Sequence, residues 1–475
     1  MIVIKQITKK NGGLVIYKVE PVYSNQNKPI MATTNTEEGL KRVVGVWGIF
    51  TNVINNTIGS GIFLLPAIVA GSLGNAGILA YIACGLLFLL VMLCYAEISS
   101  QVTSSGGTYA YIEEAFGPYA GFISNIVLWF GTGVFVTAAL VNGMADILSV
   151  PFPVLKIPLY RALLYFILIG FSTFINVRGV KQGMILIKTI TIIKLVPIFI
   201  LLIIGFWNVN TANFRLGELP SFPNFGAVSL ILFFAFAGAE SALNVSGEMK
   251  NPSRTAPLGL LFGMLATILI FCGIQLVAQS TLGTSLAGFT AAPLAAVADK
   301  LVGSWSHSFI IAASAISVFG ILNSLPMVFP RVMFAGANNN LLPSYLAKVH
   351  PRFSTPANAI LSFSTIAFIV AISGGFRQLA TIVSAALLLL YVGVVLATIR
   401  FRLKKNIDRS GTFQIPGGIA VHIAALFALG WFIIQLKSNE LIGMGIFIVL
   451  LSAIYLFKII QKKVAPTTIT SEVEI

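Results

Sequence analysis

Long apolar runs alternate with short polar intervals along this chain. A window of about 20 residues, the length of one bilayer crossing, finds twelve apolar segments. They lie near 44–71, 76–101, 118–148, 159–177, 184–206, 225–248, 256–281, 306–336, 357–373, 377–401, 419–436 and 440–460. The pattern predicts an all-α membrane protein with 12 transmembrane helices. Two segments break their own pattern at mid-depth. The first carries "NNTIGSGIFLLPA", Asn55 to Ala67, with an interruption expected around Gly59–Gly61. The sixth carries "FFAFAGAES", with an interruption expected around Ala235–Ala239. These segments lead two groups of five spans. Five is odd, so the second group must be inverted relative to the first, and paired Gly-interrupted segments in two halves point to a transporter binding site. Beyond the paired breaks, no residue-level similarity between the halves is legible.

Composition agrees with the pattern. Of 475 residues, 57% are hydrophobic and 9% are charged, and mean hydropathy is +0.93. Domain counting by length does not apply to such a chain. The organisation expected is a tail over 1–40, disordered and cytoplasmic, a membrane domain over 41–463, and a second cytoplasmic tail over 464–475. The N-terminal stretch has lysines interrupting its apolar runs and is not a signal peptide. Because the membrane pattern starts near Val43, translation is expected to begin at Met31.

Net charge is +15, from 30 Lys and Arg against 15 Asp and Glu. There is no soluble basic domain to hold nucleic acid, so the excess belongs to loops flanking spans. Loops on the side of the termini carry 17 Lys and Arg, among them Lys41, Arg42, Arg254, Arg352 and Lys404. The other side carries 6: Lys156, Arg161, Arg215, Lys300, Arg377 and Lys437. The positive-inside rule therefore places both termini in the cytoplasm of a multi-pass plasma (inner) membrane protein. The loop "SSGGTYAYIEEAFGP" has no Lys or Arg and does not alter that vote. Cys84, Cys94 and Cys272 fall within spans, without metal spacing, and read as packing residues.

The breaks carry the chemistry. Gly59 and Gly61 permit unwinding, which frees backbone N–H and C=O groups at mid-depth. Such groups are tolerated in a membrane only where they line a cavity or meet a ligand. A half-helix beginning near Ile62 would point its positive end at the gap, which suits a carboxylate. Near Gly238, freed carbonyls of Phe234, Phe236 and Ala237 would accept from an ammonium. Together the two breaks describe a receptor for an α-amino acid. The competing reading is close helix packing through small residues, with Phe234 and Phe236 as core.

Of all the acids, only Glu240 stands well inside a predicted span, directly after the second break. It can carry or sense a proton, or it can hold the unwound backbone in place; a structural or gating role is favoured. Lys194 sits near the middle of 184–206 and must find carbonyls or hydroxyls. A fixed internal cation there is a natural substitute for a bound Na⁺, the alternative being a lysine facing a wet vestibule. Lys188 is near a span end and can snorkel. His307, His350 and His422 are in or near loops and far apart. No catalytic Ser–His–Asp set, phosphate-binding loop or metal cluster is present, so neither an enzyme nor a cofactor or metal is expected.

These residues resemble an amino-acid permease of the amino acid–polyamine–organocation superfamily, over about Glu38 to Lys463. The resemblance is carried by "GSGIFLLPA", by "YAEISSQVTSSGGTYAYIEEAFGPYAGF" with Thr103 near a common Pro position, and by "FAFAGAESALNVSGEMKNPSRTAP". It extends to "PRVMFAGANNNLLPSYLAKVHPRFSTPANAI", where "NNN" replaces a more usual charged-Asp-Gly stretch. It implies a five-plus-five inverted repeat, with discontinuous helices 1 and 6, over about 41–206 and 225–403, plus two C-terminal helices over 419–460. It also implies alternating access. Backbone at Gly59, Ser60, Gly61 and Ile62 would hold the substrate carboxylate. Carbonyls of Thr57, Phe234 and Ala237, beside Gly238, would hold the ammonium. Lys194 matches the lysine of sodium-independent members. Relative to the arginine/agmatine antiporter branch, Asn56 matches an Asn. Val136 and Leu325 replace an Asn and a stacking Trp, and Phe234 replaces another Trp. Gly131, Thr132 and Ser384 would complete the surroundings. The expectation is sodium-independent transport of a neutral amino acid, proton-coupled or by exchange. The alternatives are a cationic amino acid or polyamine antiporter and a non-transporting sensor.

Overall fold

The computed structural model describes residues 44–102, 107–214, 221–339, 341–404 and 411–464. The expected tails over 1–40 and beyond Val464, the start at Met31, Thr103, Arg215, Asn340 and the side chain of Lys188 lie outside this description. Among the described residues every regular element is helical. They are α1 (Val46–Thr57), α2 (Ser60–Leu73), α3 (Gly77–Gln101), α4 (Thr108–Phe116), α5 (Pro118–Ile126), α6 (Phe135–Leu148), α7 (Pro158–Arg178) and α8 (Val180–Trp207). There follow α9 (Phe222–Phe236), α10 (Pro252–Leu282), α11 (Pro293–Val302), α12 (Trp305–Asn338), α13 (Ala357–Ala371), α14 (Phe376–Leu403), α15 (Ile419–Ile434) and α16 (Ser438–Val464).

Local sequence explains many of the boundaries. Proline opens α5, α7, α10 and α11, where its missing N–H costs nothing and its fixed φ suits the first turn. The long segment over 118–148 stays helical throughout, but Val127–Val134 between α5 and α6 is wound as a π-helix. Gly131 and Thr132 lie in that wider turn. Two helices fall between the expected segments. These are α4, after the second segment, and α11, after the seventh; each is too short to cross a bilayer.

Eight helical stretches among the described residues are long and apolar enough to cross a membrane, by length and composition. One of them, Ser60–Gln101, has 42 residues, about twice what one crossing needs, and is divided at Gly74–Ala76 by a tighter turn. Three shorter apolar helices, Ile193–Trp207, Ala357–Ala371 and Ile419–Ile434, accompany them.

The interior is built around α9. Phe233 of α9 lies 5.2 Å from Phe88 of α3, 5.7 Å from Tyr391 of α14 and 4.9 Å from Phe432 of α15, ring centre to ring centre. Phe236 meets Phe271 of α10 edge-on at 5.1 Å. Without water to drive helices together, this dispersion contact and interhelical hydrogen bonds hold the bundle. One such network joins α6, α7 and α13: Asn142 Nδ2 donates to Ala371 O at 2.9 Å, Tyr165 OH to Asn142 Oδ1 at 2.8 Å, and Arg161 Nη2 to Asp146 Oδ1 at 2.7 Å. By contrast α16 is nearly all surface: 6% of the most apolar window of Ser438–Ile460 is buried within the chain. A helix that apolar on an outward face belongs against lipid.

Candidate functional site

The first break lies slightly earlier than its sequence suggests. α1 runs through Thr57, Ile58 is extended (φ −76°, ψ 92°), Gly59 is extended (φ −120°, ψ −144°), and α2 begins at Ser60. The unwound residues are thus Ile58 and Gly59, not Gly59 to Gly61, and the second half-helix starts two residues before Ile62. Both glycines are closely packed: a Cβ on Gly59 would lie 2.9 Å from Ile321 Cδ1 of α12, and one on Gly61 would lie 2.9 Å from Ala235 Cβ of α9. Gly61 lies inside α2 and Gly59 at the break.

This shift leaves the donors where they were expected. Ser60, Gly61 and Ile62 occupy the first three positions of α2, whose amides precede any intrahelical acceptor. Ser60 Oγ is buried without a hydrogen-bond partner. A helix N-terminus with an unpartnered hydroxyl beside it is a site for an anionic group.

The second break falls within its expected range. α9 ends at Phe236, Ala237 is extended, and Gly238 takes φ +106°. A side chain at Gly238 would be strained on two counts, because its Cβ would also lie 2.8 Å from the Asn56 carbonyl oxygen. A tight helix follows over Ala239–Glu248. The Phe234 carbonyl accepts the Ala237 amide at 3.3 Å, and the Gly238 amide donates to Glu240 Oε2 at 3.0 Å. Glu240 thus braces the turn that its own segment makes.

The two breaks touch. Asn56 Nδ2 donates to Ser241 Oγ at 2.7 Å, and Ser241 Oγ donates in turn to Gly238 O. α1 packs on Ala239–Glu248 and α2 packs on α9. At the outer margin of the pair, Val44 bridges Met249, with the Lys250 amide donating to Val44 O at 3.0 Å. Ser241 is a residue that sequence pattern did not single out. A double-mutant cycle on Asn56→Ala and Ser241→Ala, read by thermal unfolding, is expected to give a coupling of about 1 kcal/mol. Strict additivity would remove this bond from the site.

Lys194 is fully buried on α8. Its Nζ donates to Asn55 O and, at 3.0 Å, to Ile58 O. These carbonyls end α1, where the intrahelical ladder stops and the helix dipole is negative. The ammonium therefore caps the first half-helix from its C-terminal side.

The remaining expected residues lie on α9, α12, α14 and the π-helical turn between α5 and α6. Phe234 is buried edge-on against Phe376 of α14, with ring centres 5.8 Å apart. Leu325 is buried on α12, one turn beyond Ile321. A Cβ on Gly131 would lie 3.0 Å from Ala386 Cβ. Thr132 Oγ1 donates to Leu128 O within its own helix. Ser384 Oγ donates to Leu230 O of α9 at 2.9 Å, so it fastens α14 to α9. On the other side of the second break, Tyr95 and Tyr391 lie 5.5 Å apart and border Glu240. Tyr391 OH has no hydrogen bond of normal length there.

Two buried groups stand close to ends of apolar segments, and sequence pattern does not single them out as site residues. Glu97, in the last turn of α3, is fully buried and bonded to Arg402 of α14. His422, near the start of α15 as its sequence position suggests, is also fully buried.

A family model for amino acid permeases matches residues 44–457. The chain belongs to the amino acid permease family. Its similarity to individual permeases spans most of each chain. The serine/threonine exchanger SteT of Bacillus subtilis (strain 168) is 30% identical over 390 residues, 80% of this chain and 87% of that one. The branched-chain amino acid permease BcaP of the same organism is 23% identical over 448 residues, 88% and 95% of the two chains. A methylthioribose transporter, also from Bacillus subtilis (strain 168), is 26% identical over 453 residues, 90% and 96%. As a permease this chain is an integral membrane protein of amino-acid transport. The three relatives differ in the substrates they are named for, so family membership does not select one.

Proposed function

We propose that this permease is a sodium-independent secondary transporter of neutral amino acids, working by alternating access, either by exchange or coupled to protons. The observation that carries this reading is the pairing of the two breaks. The α2 N-terminus presents amides at Ser60, Gly61 and Ile62 beside the unpartnered Ser60 hydroxyl. The second break, against Asn56, brings the carbonyl end of α9 next to it. A zwitterionic amino acid matches this pair, carboxylate toward amides and ammonium toward carbonyls at Thr57, Phe234 and Ala237.

Sodium independence is supported by Lys194, whose ammonium already occupies the carbonyls of Asn55 and Ile58. A neutral side chain is supported by the Phe234–Phe376 pair beside the second break, which offers no counter-charge to a guanidinium or a polyamine. Packing supports twelve crossings in two inverted halves. α1 and α2 pair with Ala239–Glu248 and α9, α3 pairs with α10, α6 with α12, and α7 with α13. These four pairings join crossings of the first half to counterparts in the second, while the fifth, α8, packs on α12 and α10. Both termini then lie on the cytoplasmic side, as the loop charges indicate.

The test is purified protein in liposomes with labelled serine, threonine, leucine and arginine, with and without Na⁺ and with and without a pH gradient. Serine, threonine or leucine counterflow independent of Na⁺ is expected. Arginine alone would make it a cationic transporter, a Na⁺ requirement would sink the role given to Lys194, and no counterflow would favour a sensor. Glu240 is assigned to gating and bracing. Glu240→Gln keeps an acceptor for the Gly238 amide and is expected to retain transport within about tenfold, whereas Glu240→Ala loses one buried charge-assisted bond and falls further. Loss of proton dependence alone in Glu240→Gln would make Glu240 the proton carrier instead.

A further inference from the structure

A second buried polar cluster lies away from the breaks, where the ends of α3 and α14 meet the start of α15. Glu97 of α3 and His422 of α15 are both fully buried. Arg402 of α14 grips the Glu97 carboxylate with two nitrogens: Nε donates to Oε1, and Nη2 donates to Oε2 at 2.8 Å. The strand of chain entering α15 is fastened to the same groups. The Ile415 amide donates to Glu97 Oε2 at 3.0 Å, and Arg402 Nη2 donates to Ile415 O at 3.1 Å. The Phe413 amide donates to Ser100 Oγ at 3.0 Å. A bidentate ion pair that also holds a loop is satisfied at every oxygen it presents.

His422 is the exception within the cluster. Its Nδ1 lies 3.1 Å from Gly418 O. A carbonyl only accepts, so Nδ1 must carry a proton. In the neutral ring Nε2 is then a bare acceptor, and it faces Glu97 Oε2 at 3.7 Å without a hydrogen bond. Two acceptors confront each other in a buried place. One added proton resolves the mismatch: Nε2–H becomes a donor to the carboxylate, and the contact can shorten to about 2.8 Å as a charge-assisted bond. The groups facing the ring come from each packed element. From α3 comes Glu97, near which the Cys94 thiol also lies, and from α14 the Arg402 guanidinium. α9 has no titratable residue, and α15 has none besides His422. Arg402 opposes the added charge, but its own charge is already engaged by the carboxylate lying between them.

We infer that His422 is a proton-binding site whose occupation draws α15 onto α3 and α14 and tightens that clamp. The consequence for the permease follows from what those two helices carry. α3 holds Tyr95 half a turn before Glu97, and α14 holds Tyr391 three turns before Arg402; these tyrosines are the pair bordering Glu240 beside the second break. A tighter α3–α14 clamp holds the tyrosine pair closed. Protonation on this side of the bundle therefore slows opening of the site toward that side. This last step rests on the transport reading above; the proton-binding step does not.

The chain has three histidines, so the double variant His307→Gln/His350→Gln isolates His422 for nitrogen-15 histidine NMR. The Nδ1–H tautomer is expected at high pH, with a second proton added at Nε2 on acidification. An Nε2–H tautomer at high pH, or no second proton at any pH at which the protein stays folded, overturns the site. Hydrogen exchange at the Phe413 and Ile415 amides, corrected for intrinsic pH dependence, is expected to slow on acidification in the wild type and not in His422→Leu. Equal behaviour in both overturns the clamp. In proteoliposomes, labelled-serine counterflow is expected to slow roughly tenfold on acidifying this side, one charge-assisted hydrogen bond's worth. His422→Gln, with a donor at every pH, is expected to stay slow, and His422→Leu to stay fast. A pH response retained by both variants overturns the gating step. Absence of serine counterflow in every variant, with the NMR and exchange results as expected, is a failure of the transport reading and not of the proton site.

Discussion

Replacing Lys194 by alanine or methionine is expected to reduce transport to background while leaving the protein folded. The ammonium caps two carbonyls at the end of α1, Asn55 O and Ile58 O. Without it, each is left in a buried place at a cost of about 1–3 kcal/mol. α1 then either rewinds through Ile58 or admits a water or a cation. Rewinding would give the Gly59 amide to Asn55 O and remove the extended pair that positions the α2 amides. Methionine is the sharper probe, because it keeps the volume of the side chain and removes only the charge and donors. Initial uptake rates in proteoliposomes, with detergent-solubilised thermal unfolding as the control, read the result. Wild-type rates with unchanged pH dependence in either variant would show that the cap has no part in transport.

Gly238→Ala is expected to be nearly as severe. The residue takes φ +106°, and a Cβ would lie 2.8 Å from a backbone oxygen of α1. Strain at such a backbone position is about 1–3 kcal/mol, and a carbonyl fixed in a helix cannot move aside as a side chain can. Relief requires the two breaks to separate, which opens the Asn56–Ser241 bond and misplaces carbonyls relative to the α2 amides. A loss of transport beyond about a hundredfold is expected, since positioning errors near an ångström commonly cost that much. Gly59→Ala is the comparison. Its Cβ meets the Cδ1 tip of Ile321, which can rotate away, so a loss within about tenfold is expected on the same assay. If both variants transport alike, proximity of the breaks is not what the site depends on.

The apolar segmentation and the two interruptions are legible in the chain because a bilayer demands both. Spans must be about 20 residues long and apolar. Mid-depth clusters of Gly, Ser and Asn, such as Asn55–Gly61, contradict that demand unless they are used. For the same reason Lys194 stands out: an ammonium in apolar surroundings needs partners, and its sequence position alone says so. Family membership is legible through several separated motifs.

Other features had no local signature. The close neighbours of Gly59 and Gly61, Ile321 and Ala235, come from distant segments that no local pattern names. Ser241 looks like any serine after a break until Asn56 approaches it. Ser384, expected beside the substrate, spends its hydroxyl on Leu230 O. His422 reads as a residue near a loop, and Glu97 draws no notice, because the sequence shows distance from span ends and not what covers those ends. Sequence by itself determined that this chain crosses a membrane, that it breaks two of its helices, and which family it joins, because each follows from patterns that are local to a segment and are recognised motif by motif. Tertiary structure alone decided which atoms face one another across those breaks and in the Glu97–Arg402–His422 cluster, because hydrogen bonds act over about 3 Å between residues as many as 325 positions apart in the chain.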